Sequence, residues 1–205
     1  MNKKEKFALF LGMLSGDGCL SIKHNGQGYR VYPIQFCNTN EELVNLFNQL
    51  FFEIYGFYGQ IGTRQRVNRK RIWAFTKHSR KISDELVALG FPEGVKRDYL
   101  KVPQSIKAGK INEKLAFIAG VIMTDGHVGD RRILFHSGSK LFLEDLSEVI
   151  SEVINVRKPV KEFIQRKIYR SYQLSLNKHE KEVLLSVMPG WHNGNASVLS
   201  FEDKN

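Results

Sequence analysis

Two carboxylates carry the first chemical signal in this sequence. Asp17 closes the stretch "GMLSGDG" at residues 12–18, and Asp125 closes "VIMTDG" at residues 121–126. Each ends an apolar segment with helical spacing, and each is followed by glycine. A lone Gly-Asp-Gly marks only a turn. A carboxylate at the C-terminal end of a helix opposes the negative end of the macrodipole, and two such groups side by side repel one another. A cation should offset that cost. Carboxylates, carbonyls and water suit Mg²⁺. Cys19 and Cys37 lack zinc-type spacing and read as reduced intracellular thiols.

The elements that position these acids are visible as an internal repeat. "FALFLGMLSGDG" (7–18) matches "LAFIAGVIMTDG" (115–126) at an offset of 108. "IQFCNTNEELVNLF" (34–47) matches "ILFHSGSKLFLEDL" (133–146) at 99, and "RIWAFTKHS" (71–79) matches "SYQLSLNKH" (171–179) at 100. Ala8, Gly12 and Gly16 stand four apart, as do Ala116, Gly120 and Thr124. Residues four apart share one helix face, so each set forms a strip without bulk. Two such strips let two helices pack closely about a pseudo-twofold axis. Asp17 and Asp125 would then emerge together.

Each half reads as αββαββα. Residues 4–16 have helical spacing, while Leu20, Ile22, Ile34 and Phe36 alternate as strands. Residues 40–54 read as a helix capped by Asn40, with Leu43, Leu46, Phe47 and Leu50 on its apolar face. A basic hairpin covers 59–67 and 70–77, turning near Asn68, and a helix covers 79–89, ended by Gly90. The expected fold is α+β. Residues 1–90 and 113–187 form the repeats, 91–112 a Pro- and Gly-containing linker, and 188–205 a C-terminal tail.

The 205 residues carry a formal net charge of +10, which favours nucleic acid or an anionic surface as partner. The basic runs "RQRVNRKR" (64–71) and "RKPVKEFIQRKIYR" (157–170) interleave with apolar residues, as on a sheet face. No apolar run approaches the ~20 residues of a membrane span. No cleavage pattern follows the basic N-terminus, so an intracellular setting, cytoplasmic, nucleoid or organellar, is expected.

At the two acidic segments the sequence resembles the LAGLIDADG homing endonucleases, with "FLGMLSGDG" (10–18) and "IAGVIMTDG" (118–126) aligning with the motif. The resemblance spans both repeats and is to the single-chain, two-repeat members. It implies a monomer whose two four-stranded antiparallel sheets form a saddle in the major groove of a long double-stranded DNA site. It also implies Mg²⁺-dependent double-strand cleavage leaving short 3′ overhangs. Asp17 and Asp125 match the family's metal-binding acids, with the carbonyls of Gly16 and Thr124 joining them; Mn²⁺ or Ca²⁺ are further occupants of the same site. Family members often place Gln or Asn after the second strand and Lys at the end of the fourth. Asn38 and Ser137 occupy the first place here, and Lys77 and Asn177 the second, with Lys178 as a substitute for Asn177.

Strand parity assigns a DNA face. With Ile34, Phe36, Ile61, Ile133 and Phe135 turned inward, Tyr29, Gln35, Gln60, Arg64, Arg66, Arg132 and His136 point outward. The offset of 100 aligns Gln173, read as outward, with Trp73. Arg and Gln can read base edges in the major groove. Lys23, Arg69, Lys70, Arg71, Lys158, Lys161, Gln165, Arg166, Lys167 and Arg170 extend the same basic surface toward phosphates. Other readings are an RNA maturase that assists intron splicing and a non-catalytic DNA-binding regulator on the same fold. The chain starts at Met1, and His192-Asn193 is followed by Gly194, so a free-standing, intron-encoded enzyme is expected over an intein-borne one.

Overall fold

The computed structural model describes residues 1–24, 26–65, 70–165 and 169–188. Its first half runs α1 (Lys3–Asp17), β1 (Gly18–Leu20), β2 (Lys23–His24), β3 (Arg30–Val31), β4 (Pro33–Asn38), α2 (Glu41–Tyr55), β5 (Gln60–Arg64), β6 (Ile72–His78) and α3 (Arg80–Ala88). A short α4 (Gln104–Lys107) precedes the second half. That half is α5 (Ile111–Asp125), β7 (Gly126–Gly129), β8 (Arg132–Ser137), α6 (Lys140–Ile154), β9 (Lys161–Gln165), β10 (Tyr169–Leu176) and α7 (Lys178–Val187). Two antiparallel sheets result, ordered β1-β4-β6-β5 and β7-β8-β10-β9, so the expected repeat is present. The first half adds a small β2-β3 hairpin between β1 and β4. Among the described residues no helix is long and apolar enough to cross a membrane.

Local sequence explains the helix ends. The Asn2 side chain accepts from the N–H groups of Lys4 (2.9 Å) and Glu5 (3.0 Å), while Glu5 accepts from the Asn2 N–H. This capping box starts α1. Asn40 caps α2, and Gly56 ends it in the left-handed region at φ 84°. Ser79, Ser139 and Asn177 cap α3, α6 and α7. From Ala8 to Gly16, α1 is buried on every side, as a central helix must be.

The sheets lie over the outer helices through aromatic contacts. Phe36 of β4 stacks on Phe47 of α2 at 4.3 Å and 5°, and Phe75 of β6 meets Phe47 edge-on at 5.1 Å. Phe10 of α1 joins the same cluster 4.8 Å from Phe47. In the second half, Phe117, Phe135 and Phe142 are fully buried.

The segment between the halves is a packed strap. Phe91, Leu100, Val102 and Ile106 are buried in the core. The Gly94 N–H donates to the Leu20 carbonyl at 2.7 Å, and the Ser139 hydroxyl donates to the Leu100 carbonyl at 2.7 Å. The strap is therefore fastened to both halves, and its last residues, Ile111 and Asn112, already belong to α5.

Candidate active site

The two small-residue strips meet. A Cβ built on Gly12 would lie 2.2 Å from the Phe117 carbonyl oxygen, and one on Gly120 would lie 2.4 Å from that of Leu9. Only hydrogen fits at these crossings, so the backbones of α1 and α5 touch. Further along, Gly16 faces Thr124: a Cβ there would lie 2.0 Å from Thr124 Oγ1 and 3.3 Å from Asp125 Cγ. The crossing delivers Asp17 and Asp125 to one place at the C-terminal ends of both helices.

Their environments differ. The Asn38 amide donates to Asp17 Oδ2 at 2.6 Å, and Asn38 Oδ1 accepts from the Asn40 N–H at 2.7 Å, which fixes the side chain. Ser137 keeps only the backbone half of this arrangement, accepting from the Ser139 N–H at 3.0 Å. Its hydroxyl is shorter than an amide, and among the described residues Asp125 has no counterpart of the Asn38 bond. Burial raises both carboxyls. Asp17 is raised first by burial, opposed by the Asn38 bond and by Lys96. Asp125 is pushed from 3.8 to about 6 by burial, opposed by Lys96 and reinforced by Asp17.

The cation that these charges demand is partly supplied by the chain. Lys96, in the middle of the strap, donates from Nζ to the carbonyl of Ser15 at 2.7 Å and to that of Gly16 through a shorter contact. Burial pushes the Lys96 ammonium below the usual lysine range, while Asp125 and Asp17 push it back up. Sequence reasoning asked for a cation beside the acids and missed this one. Lys96 lies outside any periodic segment, and only the strap's long-range packing brings it in.

Among the described residues no three His, Cys, Asp or Glu side chains cluster as a metal site. The donor set is two carboxylates and the carbonyl oxygens beside them. One of those carbonyls, that of Gly16, already holds a positive group. This all-oxygen set suits a hard divalent ion that keeps several waters.

Other expected site residues lie elsewhere. Lys77 pairs in register with Ile34, whereas Asn38 pairs with Trp73, so Lys77 sits about 13 Å along the strand at about 3.3 Å per residue. Its Nζ lies 4.3 Å from the centroid of the Phe57 ring. Asn177 caps α7, accepting from the Glu180 N–H at 3.0 Å, and Lys178 pairs loosely with Glu182 at 3.9 Å. All three are at the sheet ends away from the acids. Lys77→Met is accordingly expected to leave any cleavage rate within about twofold, measured beside Lys77→Ala.

The outer sheet faces follow the expected parity in part. Gln35 donates to Thr76 Oγ1 at 3.4 Å, and Gln60 is in register with Thr76, so these three share the outer face with Arg64. In the second half Gln173 approaches His136 at 3.4 Å, with Lys161 in register with Gln173. Arg132, Lys23, Tyr29, Lys70 and Arg71 are exposed. Trp73 corrects the reading. Phe75 pairs with Phe36 and Leu174 with Phe135, so the strands align at an offset of 99. Trp73 thus matches Tyr172, and both pack against the core. Lys158 is also reassigned: its Nζ is 2.7 Å from Glu180 Oε1, a structural ion pair at the foot of α7. Arg170 alternates with Gln173 onto the opposite face and pairs with Glu162 at 3.6 Å. Arg66, Arg69, Arg166 and Lys167, with the Asn68 turn and the tail beyond 188, lie outside the described residues, as does the side chain of Gln165.

A cleft of about 710 Å³ opens beside the acids, lined by Ser15, Lys96, Arg97, Asp125, His136, Ser137 and Phe163 among others. It joins Asp125 to the outer face of the second sheet.

The raised Asp125 carboxyl has a measurable consequence. Its folded value exceeds its ordinary 3.8, so the folded chain binds the proton more tightly and gains stability as pH falls through about 6. That gain is absent above this window. In EDTA, Asp125→Asn should melt above the parent chain at pH 7.5, and the gap should narrow as pH falls through about 6 and close only below about pH 4. A gap independent of pH would contradict the assigned environment.

Paired repeats, crossed central helices and two four-stranded antiparallel sheets define the class: the chain has the LAGLIDADG homing-endonuclease fold. Among solved structures it resembles mesophilic variants of the homing endonuclease I-DmoI, with TM-score 0.72 and 17% identity over 94% of this chain and 99% of that one. I-DmoI in complex with DNA and Ca gives 0.71 and 18%, over 94% and 93%. I-WcaI bound to its DNA recognition sequence gives 0.63 and 16%, over 94% and 84%. No family model matches the sequence. A stretch of 128 residues, 62% of this chain, is 28% identical to an A-type ATP synthase subunit from Pyrococcus abyssi. The match spans only 11% of that protein's length.

Proposed function

We propose that this chain is a site-specific DNA endonuclease that makes Mg²⁺-dependent double-strand breaks in a long target, leaving short 3′ overhangs. The observation that carries the proposal is the meeting of Asp17 and Asp125 at the helix crossing, between two sheets whose outer faces carry Gln35, Gln60, Arg64, Arg132, His136, Lys161 and Gln173. I-DmoI has been solved with DNA and Ca or Mn, and a variant of it with DNA and Mg, which supports a divalent ion and duplex DNA as partners. One chain supplies both acids, so the proposed working unit is a monomer, encoded for intron homing.

The carboxylates of Asp17 and Asp125, with the carbonyls of Gly16 and Thr124, would hold Mg²⁺. When bound it supplies charge stabilisation to a phosphodiester and an acidified water. The chain's own groups do the rest. Asn38 orients Asp17 and opposes the rise that burial gives its carboxyl. Outward Arg and Gln side chains read base edges, and lysines set register on phosphates. Partial burial at the helix ends lowers the local dielectric around the acids, which strengthens every charge there.

Incubation with a randomised plasmid library, in Mg²⁺ or in EDTA, followed by sequencing of new ends, tests the proposal. Metal-dependent ends at one long motif are expected. Tight specific binding without cuts would replace the endonuclease with a regulator, and selective binding to intron RNA without cuts would replace it with a maturase.

A further inference from the structure

Lys96 occupies a particular kind of place. Its ammonium sits on the carbonyl oxygens of Ser15 and Gly16, at the negative end of α1, and within the field of both Asp17 and Asp125. The two carbonyls accept the ammonium directly and the two carboxylates act on it from farther off, an all-oxygen surrounding of the type a hard divalent ion takes. The Gly16 carbonyl is claimed twice, by Lys96 in the structure and by the metal in the proposed function.

We infer that Lys96 is a placeholder for the divalent ion: it holds the acidic pair together in the metal-free protein and must withdraw for the ion to bind. The inference rests on the reading that Asp17 and Asp125 hold that ion. A single ammonium offsets one of two negative charges, which stabilises the crossing without matching a divalent ion. Withdrawal needs no unpacking of the core. Gly94 and Leu100 anchor the strap on either side, through the bond to Leu20 and through burial. Between them, Val95 is 71% exposed. The lysine stem is flexible, and the cleft of about 710 Å³ lined by Lys96 gives the ammonium somewhere to go. That cleft leads toward the outer sheet face, where a DNA phosphate would receive the charge.

The placeholder makes an unusual prediction, because removing it should improve ion binding. A site open about a tenth of the time binds its ligand about tenfold more weakly. Calorimetric titration of the DNA-free protein with Ca²⁺ at pH 7.5 reads this directly. Lys96→Met should bind Ca²⁺ about tenfold more tightly than the parent chain. It should melt lower than the parent in EDTA, with the deficit removed by saturating Ca²⁺. Lys96→Arg keeps a cation and should stay near the parent value, so it controls for damage to the strap. Affinity that is unchanged, weakened or undetectable in Lys96→Met would overturn the placeholder. Ca²⁺ binding that persists in Asp17→Asn/Asp125→Asn would instead remove the metal site itself, and this inference with it.

Discussion

Asp17→Asn and Asp125→Asn are each expected to slow double-strand cleavage by about 10²–10³-fold or more, while target affinity changes only a few-fold. The asymmetry between the two readouts follows from position. The acids lie at the helix ends between the sheets, not on the outer faces that carry Gln35, Arg64, Gln173 and His136. An amide keeps the size of the carboxylate and its hydrogen-bonding oxygen, so the crossing survives. It removes the negative charge that a divalent ion needs. The same substitutions should raise the melting temperature in EDTA at neutral pH, because each relieves a buried carboxyl that desolvation raises. Lost activity with gained stability is the mark of a functional residue held against its own stability. Gel-resolved cleavage, filter binding and thermal melts on the same preparations check all three expectations. Unimpaired cutting by both variants would place the chemistry elsewhere.

Gly12→Ala and Gly120→Ala are expected to do the opposite, damaging the fold and function together. In an isolated helix the change would gain about 1 kcal/mol from propensity. Here the added methyl would lie 2.2 Å from the Phe117 carbonyl oxygen, or 2.4 Å from that of Leu9. Backbone atoms on a buried helix cannot swing aside, so the two helices must separate by about an ångström. Overpacking of this kind costs about 3 kcal/mol and outweighs propensity; the net of about 2 kcal/mol is, for a chain of this length, roughly a 4–8 °C fall in Tm. Separation also spreads Asp17 from Asp125, so cleavage should fall even below the melting range. Gly62→Ala is the control: a Cβ there meets nothing within 4 Å, and Tm should hold within about 2 °C. Equal melting of Gly12→Ala and Gly62→Ala would mean that the helices do not cross where the structure places them.

The legible part of the sequence was the part with a period. The four-residue spacing of Ala8, Gly12 and Gly16, repeated in Ala116, Gly120 and Thr124, dictated a close crossing and hence the meeting of the acids. The alternation at Ile34, Phe36, Ile133 and Phe135 is enough to orient β4 and β8, whereas Asn38 at the end of β4 is pointed to by the family resemblance. Errors arose where one residue of register decided a face. Aligning β6 with β10 at 100 instead of 99 turned Trp73 outward, when it packs on the core beside Phe75. Lys77, which the family resemblance implies at the site, sits at the other end of the sheet from Asn38. Lys158 was read as a phosphate contact because its neighbours are basic; its partner, Glu180, comes from a helix 22 residues later. Lys96 had no local signal at all. A strap between two halves carries no periodicity, and its position is set by where Leu20, Leu100 and Ser139 happen to fasten it.

The central claim is that one chain, with one acid from each repeat, cuts both strands of a duplex. Run-off sequencing of both strands of a cleaved target, at one chain per DNA, tests it most directly. One cut in each strand is expected, symmetric about the pseudo-twofold axis and leaving a short 3′ overhang. A cut confined to one strand, a 5′ extension, or a requirement for two chains per target would contradict it.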